Sequence, residues 1–254
     1  MRIVLFGTGN LATRLGIALK SSNTEIMQVF GRSEDGASNL SCILGCPYTT
    51  SLKEIKSDAD IYIIAVSDDA ISEVLSGIQV NNQIVVHTSG SVQMDVLSSF
   101  AENYGVFYPL QTLSARREVD FTDVPLCIEA NNPATLEKIN ALASSISGSV
   151  VAIDSEQRRQ LHLAAVFVCN FVNHFYAIGE VLLKDRQLDF DLLKPLIRET
   201  AAKVLQFSPS SVQTGPAARG NEAVMAMHLL MLEEYPEWKH FYEIISKDIS
   251  HHHN

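Results

Sequence analysis

Short apolar runs alternate with amphipathic stretches along residues 1–154, and then the alternation stops. Residues 2–6, 25–30, 60–66 and 83–87 are β-type runs, and the last two are nearly continuous in apolar residues. Strands read this way when helices cover both faces of a parallel sheet. Helical periodicity is predicted over 11–20, 37–44 and 134–146, and shorter strands at 48–50, 106–108, 126–129 and 149–153. Strands separated by helices in regular order imply βαβ units and an α/β, doubly wound parallel sheet of the Rossmann type. Beyond 154 only helical patterns follow, over 155–184, 192–207, 217–232 and 238–247. They are punctuated by Ser208-Pro209-Ser210 and Thr214-Gly215-Pro216. The expected organisation is a dinucleotide-type domain over 1–154 and an all-α domain over 155–254.

A glycine turn gives the first half its chemistry. Gly7-Thr8-Gly9-Asn10-Leu11-Ala12 follows the first strand and opens a helix, and it fits G-x-G-x-x-G/A. Each small residue serves separately, Gly7 for a tight turn, Gly9 for close approach of a pyrophosphate, and Ala12 for helix–strand packing. The helix N-terminus behind them offers free N–H groups and the positive end of a dipole to phosphates. The second strand runs into Arg32 and Ser33, where a site for NAD would place Asp or Glu against the ribose 2′-OH. A guanidinium there suits a 2′-phosphate, so NADP is expected in preference to NAD. Val66 and Ser67, at the end of the fourth strand, are expected to border the same crevice, with Ser67 also read as a cap for the helix after it.

Charge and composition narrow the partners. The 254 residues carry a net charge of −10 and contain no basic run, which argues against a nucleic-acid partner. No stretch approaches the ~18 apolar residues of a membrane span. No signal-peptide pattern opens the chain, so a cytoplasmic protein without a membrane partner is expected. The four cysteines, Cys42, Cys46, Cys127 and Cys169, have neither metal spacing nor the setting of a disulfide framework. Cys127 and Cys169 sit in apolar runs and read as small buried hydrophobes. No metal is expected.

His87-Thr88-Ser89-Gly90-Ser91, Tyr108-Pro109-Leu110-Gln111-Thr112, Leu161-His162-Leu163-Ala164-Ala165 with Asn170, and Thr214-Gly215-Pro216-Ala217-Ala218-Arg219-Gly220 form a spaced set. Together they resemble the domain-of-unknown-function 2520 family. That family looks like a Rossmann domain joined to a helical domain akin to those of 6-phosphogluconate dehydrogenase and pyrroline-5-carboxylate reductase. The resemblance covers nearly the whole chain. It implies an NADP-linked oxidoreductase that is a homodimer through its helices, and it supplies no substrate. Two positions depart from the family: Tyr108 stands where it has His, and Asn221 where it has Asp.

Hydride chemistry asks the protein for a place for the ring, a polar group on the substrate's C=O or C=N, and excluded water. Ser89, Tyr108 and His162 are the candidate catalytic residues. Ser89, Gly90, Gln111, Asn170 and Arg219 are the candidates for holding a small-molecule substrate. Ser89 reads equally well as a cap for a helix from Val92, and His162 as a satisfied core histidine. On one uniform helix over 155–184, His162, Cys169 and Asn173 fall on one stripe and Asn170 well to its side. Two functions follow: an NADP-dependent oxidoreductase acting on a small carbonyl or imine compound, or a non-catalytic NADP-binding or sensing dimer.

Overall fold

A computed structural model describes residues 1–114 and 117–253. Strands β1 (Arg2–Phe6), β2 (Glu25–Phe30), β3 (Tyr48–Thr49), β4 (Ile61–Ile64), β5 (Ile84–His87), β6 (Asn103–Pro109), β7 (Leu126–Ala130) and β8 (Val150–Ala152) form one sheet. Its order is β3-β2-β1-β4-β5-β6-β7-β8. Helices α1 (Asn10–Ser21), α2 (Glu34–Leu44), α3 (Ile71–Ser76) and α4 (Pro133–Ser144) lie among the strands. This is the Rossmann-type α/β arrangement, followed by a helical region.

The near-continuous apolar strands feed two cores at once, because successive side chains point to opposite faces. Ile3, Leu5, Ile61 and Ile63 face the layer that holds Leu15 of α1 and Leu40 of α2. Val4, Phe6, Tyr62 and Ile64 face the layer that holds Ile71 and Val74 of α3. All ladders are parallel except β6–β7, which is antiparallel. The described part of that connection contains only a short 3-10 turn at Phe121–Asp123. Without a crossover helix, the next strand can return alongside its predecessor.

The described residues group into two compact units, 1–170 and 171–254. The boundary lies beyond the change of pattern at 154 because helix α5 (Ser155–Ala165) packs on the first unit, with Leu161 against Val106, Tyr108 and Cys127. The second unit holds α6 (Val172–Lys184), α7 (Lys194–Gln206), α8 (Glu222–Met231) and α9 (Pro236–His253). Between α5 and α6 the chain is a π-helix, Val166–Phe171, rather than the uniform α-helix the periodicity predicted. The run Ser155–Lys184 is long and apolar enough, by length and composition, to cross a membrane. The sequence pattern hides this, because His162, Asn170, Asn173 and His174 break what would otherwise be an uninterrupted apolar run.

Candidate functional site

At the carboxyl end of β1 the chain turns through Gly7, whose φ of +116° lies in the region glycine tolerates. A Cβ there would meet the Ala65 carbonyl oxygen at 2.1 Å, so β1 and the end of β4 approach as only glycine allows. Gly9 caps α1 without any side-chain hydrogen bond, and open space lies where its Cβ would be. The first N–H groups of α1 are therefore free to meet a ligand's phosphates. Gly7, Thr8, Gly9, Arg32, Ser33, Val66 and Ser67 line one cleft of about 900 Å³. The fit to a dinucleotide is direct: a donor-rich helix end beside an opening that a side chain at Gly9 would enter.

The other glycine-turn residues serve the scaffold. Asn10 donates from its side-chain amide to the Leu113 carbonyl at 3.3 Å, Leu11 packs against the core, and Ala12 is fully buried. Ser33 caps α2 by accepting from the Gly36 N–H at 3.3 Å. Ser67 forms no capping bond, and it leads into a 3-10 turn, Asp68–Ala70, before α3. Lys53 and Glu73 also border the cleft, one from the segment after β3 and one from α3. Sequence reasoning passed over both. Only the position of Lys53 just beyond a strand's carboxyl end hinted at it.

A second cluster sits farther along the same edge of the sheet, past β5 and β6. Tyr108 Oη and His162 Nδ1 are 3.0 Å apart, with the histidine tautomer deciding which one donates. Gly90 lies against both: a Cβ there would come within 2.7 Å of His162 Nδ1 and 2.8 Å of Tyr108 Cζ. Burial pushes the Tyr108 phenol above its ordinary value, with a smaller push from Cys127 and an opposing pull from the Arg158 charge. A pocket of about 500 Å³ opens beside the pair, lined also by Gln111, Thr112, Leu161, Cys169 and Asn170.

Ser89 braces this turn. Its hydroxyl oxygen accepts from the N–H groups of Ser91 and Val92, both at 3.1 Å, and lies 3.2 Å from Ser91 Oγ. Ser91 in turn donates to Asp68, tying the end of β5 to the loop after β4. No α-helix starts at Val92. The turn leads only to a 3-10 segment, Met94–Leu97, so Ser89 holds a turn and does not cap a helix.

The π-helix explains why Asn170 joins His162. An i→i+5 segment winds more slowly than an α-helix, so residues beyond it lag behind the α-helical projection. Asn170 reaches the pocket wall as a result, and Cys169 lines the same pocket. Cys169 is only half-buried, against expectation, because it faces that pocket and not a core. Asn173, His174 and Arg219 belong to the second unit. Asn221 caps α8 by accepting from the Val224 N–H at 3.2 Å, a role Asp fills equally well.

Behind the turn, His87 is fully buried. Its Nδ1 accepts from the Ser89 N–H at 3.2 Å, which places the ring's proton on Nε2, a buried atom without a hydrogen-bond partner. Burial first, and the Arg158 charge second, push His87 down to about 4, against weaker pulls from the Gln93 backbone and Asp68.

The chain is similar to known proteins. Residues 124–249 match the family described as domain of unknown function 2520. Residues 2–91 match the family described as NADP oxidoreductase, coenzyme F420-dependent. A candidate NADP oxidoreductase of Bacteroides fragilis is 45% identical, with 98% of each chain covered and a TM-score of 0.94. A Streptomyces aurantiacus imine reductase is 16% identical over 98% of this chain and 93% of its own, with a TM-score of 0.69. The 1-pyrroline-5-carboxylate reductase of Streptococcus pyogenes is 15% identical over 98% of both chains, with a TM-score of 0.66. These last two share the fold. No curated protein matches the sequence.

The depressed His87 makes stability depend on pH. Between about 4 and the unfolded value of 6.5 the unfolded chain binds the proton and the folded chain does not, so stability falls as pH falls through that window. The full effect is on the order of 3 kcal/mol. Urea unfolding at a series of pH values should show His87→Asn losing less stability than wild type between pH 7 and 4. Parallel losses in the two proteins would contradict the assignment.

Proposed function

This chain belongs to the domain-of-unknown-function 2520 family, and from that membership we propose that it is an NADP-dependent oxidoreductase acting on a small carbonyl or imine compound. The observation that carries the proposal is the Tyr108–His162 pair, which stands beside a pocket of substrate size on the same sheet edge as the glycine cleft.

In this reading the N–H groups at the start of α1 hold the pyrophosphate, with Gly7 and Gly9 allowing its approach. Arg32, joined by Lys53, faces the 2′-phosphate. Glu34, two residues beyond Arg32, accepts a hydrogen bond from Tyr48 Oη at 2.5 Å and is engaged there. When bound, the nicotinamide supplies or accepts the hydride. Tyr108, like any phenol, carries its proton at neutral pH, and burial favours that form further, so it donates to the substrate's oxygen or nitrogen. His162 returns a proton to the phenolate through the bond at Nδ1 and recovers its own at Nε2. Ser89 holds the turn that keeps Gly90 under the pair, and Gln111 and Asn170 offer neutral hydrogen bonds to the substrate. In this reading Tyr108 acts at a position where the resembling family has histidine.

We also propose a homodimer through the helical unit. Among its described residues only Ala217 and Leu232 are buried, whereas Leu192, Leu196, Leu205, Phe207, Leu230 and Met231 are exposed. Monomers rarely leave so much apolar surface uncovered. The isologous contact of a two-fold dimer is the common way to cover such a face.

Two measurements test these readings. Titration with NADPH and NADH, followed by cofactor fluorescence, should give NADPH at least a tenfold advantage (~1.4 kcal/mol), and Arg32→Ala should remove it. Equal affinities in wild type would overturn the assignment of Arg32, and no binding of either would overturn the oxidoreductase reading. Sedimentation equilibrium should give twice the 28.0 kDa of one chain, with Leu205→Glu/Leu230→Glu shifting it toward monomer. A wild-type monomer at micromolar concentration would exclude the dimer.

A further inference from the structure

Arg158 is as deeply buried as any side chain in the protein, although its guanidinium never loses its charge. Burial of this kind is tolerated only with close partners. Nη1 donates to the Glu129 carboxylate, and Nη2 to the Val92 carbonyl and, at 3.1 Å, to Ser155 Oγ. Glu129 also accepts from the Ser155 N–H at 3.0 Å and the Ser155 hydroxyl at 2.8 Å. Ser155 Oγ accepts from the Met94 N–H at 3.0 Å as well. One buried knot therefore ties three pieces of chain: the start of α5, strand β7 and the segment Val92–Met94.

Each of those pieces carries or adjoins a member of the Tyr108–His162–Gly90 cluster. His162 is one turn beyond Arg158 on α5, on the same face. Gly90 lies just before Val92. Glu129 pairs with Val106 in the β6–β7 ladder, and Tyr108 is the next residue of β6 on that face, opposite Cys127. The knot is also costly. Arg158 Nε is buried without a partner, which costs stability. Apolar replacement of a buried pair is often neutral or stabilising, so stability alone does not account for it.

We propose that Arg158, held by Glu129, is the positioning residue of this site: it fixes the rotation of α5 and the Ser89–Val92 turn so that His162 meets Tyr108 over Gly90. This rests on the reading of Tyr108 and His162 as the acid–base pair. The geometric part can be tested without a substrate. Arg158 touches no atom that reacts, and its effect runs through the spacing of two other residues. Replacing both partners with apolar residues should keep the fold, because no buried charge is left unpaired, while freeing α5 to turn. A lysine at 158 keeps the charge and loses the fork that reaches Glu129 and Val92 together.

The test is ¹⁵N-histidine NMR on the full chain, with the His162 Nδ1 signal assigned by its change in Tyr108→Phe. Arg158→Met/Glu129→Leu should retain wild-type circular dichroism. Its His162 Nδ1 signal should move to the position seen in Tyr108→Phe, and Arg158→Lys should give the same shift in part or whole. Should the double variant fail to fold, Arg158→Lys alone decides. A wild-type His162 signal in a folded variant overturns the proposal. Failure of NADPH to bind the wild type would remove the oxidoreductase reading and leave the His162 result standing by itself, so the two failures are distinct.

Discussion

Strand β1 lies between β2 and β4, and the helices after these strands go to opposite faces of the sheet. Leu15 of α1 and Leu40 of α2 pack on one layer and Ile71 of α3 on the other. The sheet therefore opens a crevice where the strand order reverses, at the carboxyl ends of β1 and β4. The backbone must come close there, and Gly7 against the Ala65 carbonyl is the point where it does. Every other feature of the candidate site is placed relative to that edge. The Asp68–Ser91–Ser89 bonds carry the line from β4 to β5, and Gly90 carries it on to Tyr108 and His162.

The proposed chemistry depends on how closely separate elements meet at the far end of that line. Tyr108 comes from a strand and His162 from a helix, and a glycine between them lets the two approach. The π-helix then turns Asn170 toward the pocket that a regular helix would have denied it. Behind the pair, His87 and Arg158 are buried polar groups that each leave one nitrogen unpaired.

Much of the fold could be read from pattern. The apolar runs at β1, β2, β4 and β5 marked the parallel core because continuous burial on two faces leaves a plain signal. The glycine turn marked the cleft because its spacing reflects backbone geometry. Local pattern did not show what depends on contacts remote in sequence. The antiparallel return of β7 goes with a connection whose described residues hold no crossover helix. The π segment has no periodic signature over six residues. Arg158 read as one polar residue of an amphipathic helix, since its partners at Glu129 and Val92 lie far back along the chain. Ser89 had two readings in the sequence, a contact with substrate and a cap for a helix from Val92; its hydroxyl accepts from the Ser91 and Val92 N–H groups in a turn that no α-helix follows. Cys169 looked like core because its neighbours are apolar, and the pocket wall they form became visible only in three dimensions.

The central claim is that one edge of this sheet holds NADP with its reactive end toward Tyr108 and His162. A crystal structure of the chain grown with NADP⁺ tests it most directly. The account predicts the pyrophosphate on the N–H groups that open α1, the 2′-phosphate on Arg32, and the nicotinamide beside Ser89 and Gly90, facing the Tyr108–His162 pair. Cofactor absent from the cleft at saturating concentration, or bound with the nicotinamide turned away from that pair, would contradict it.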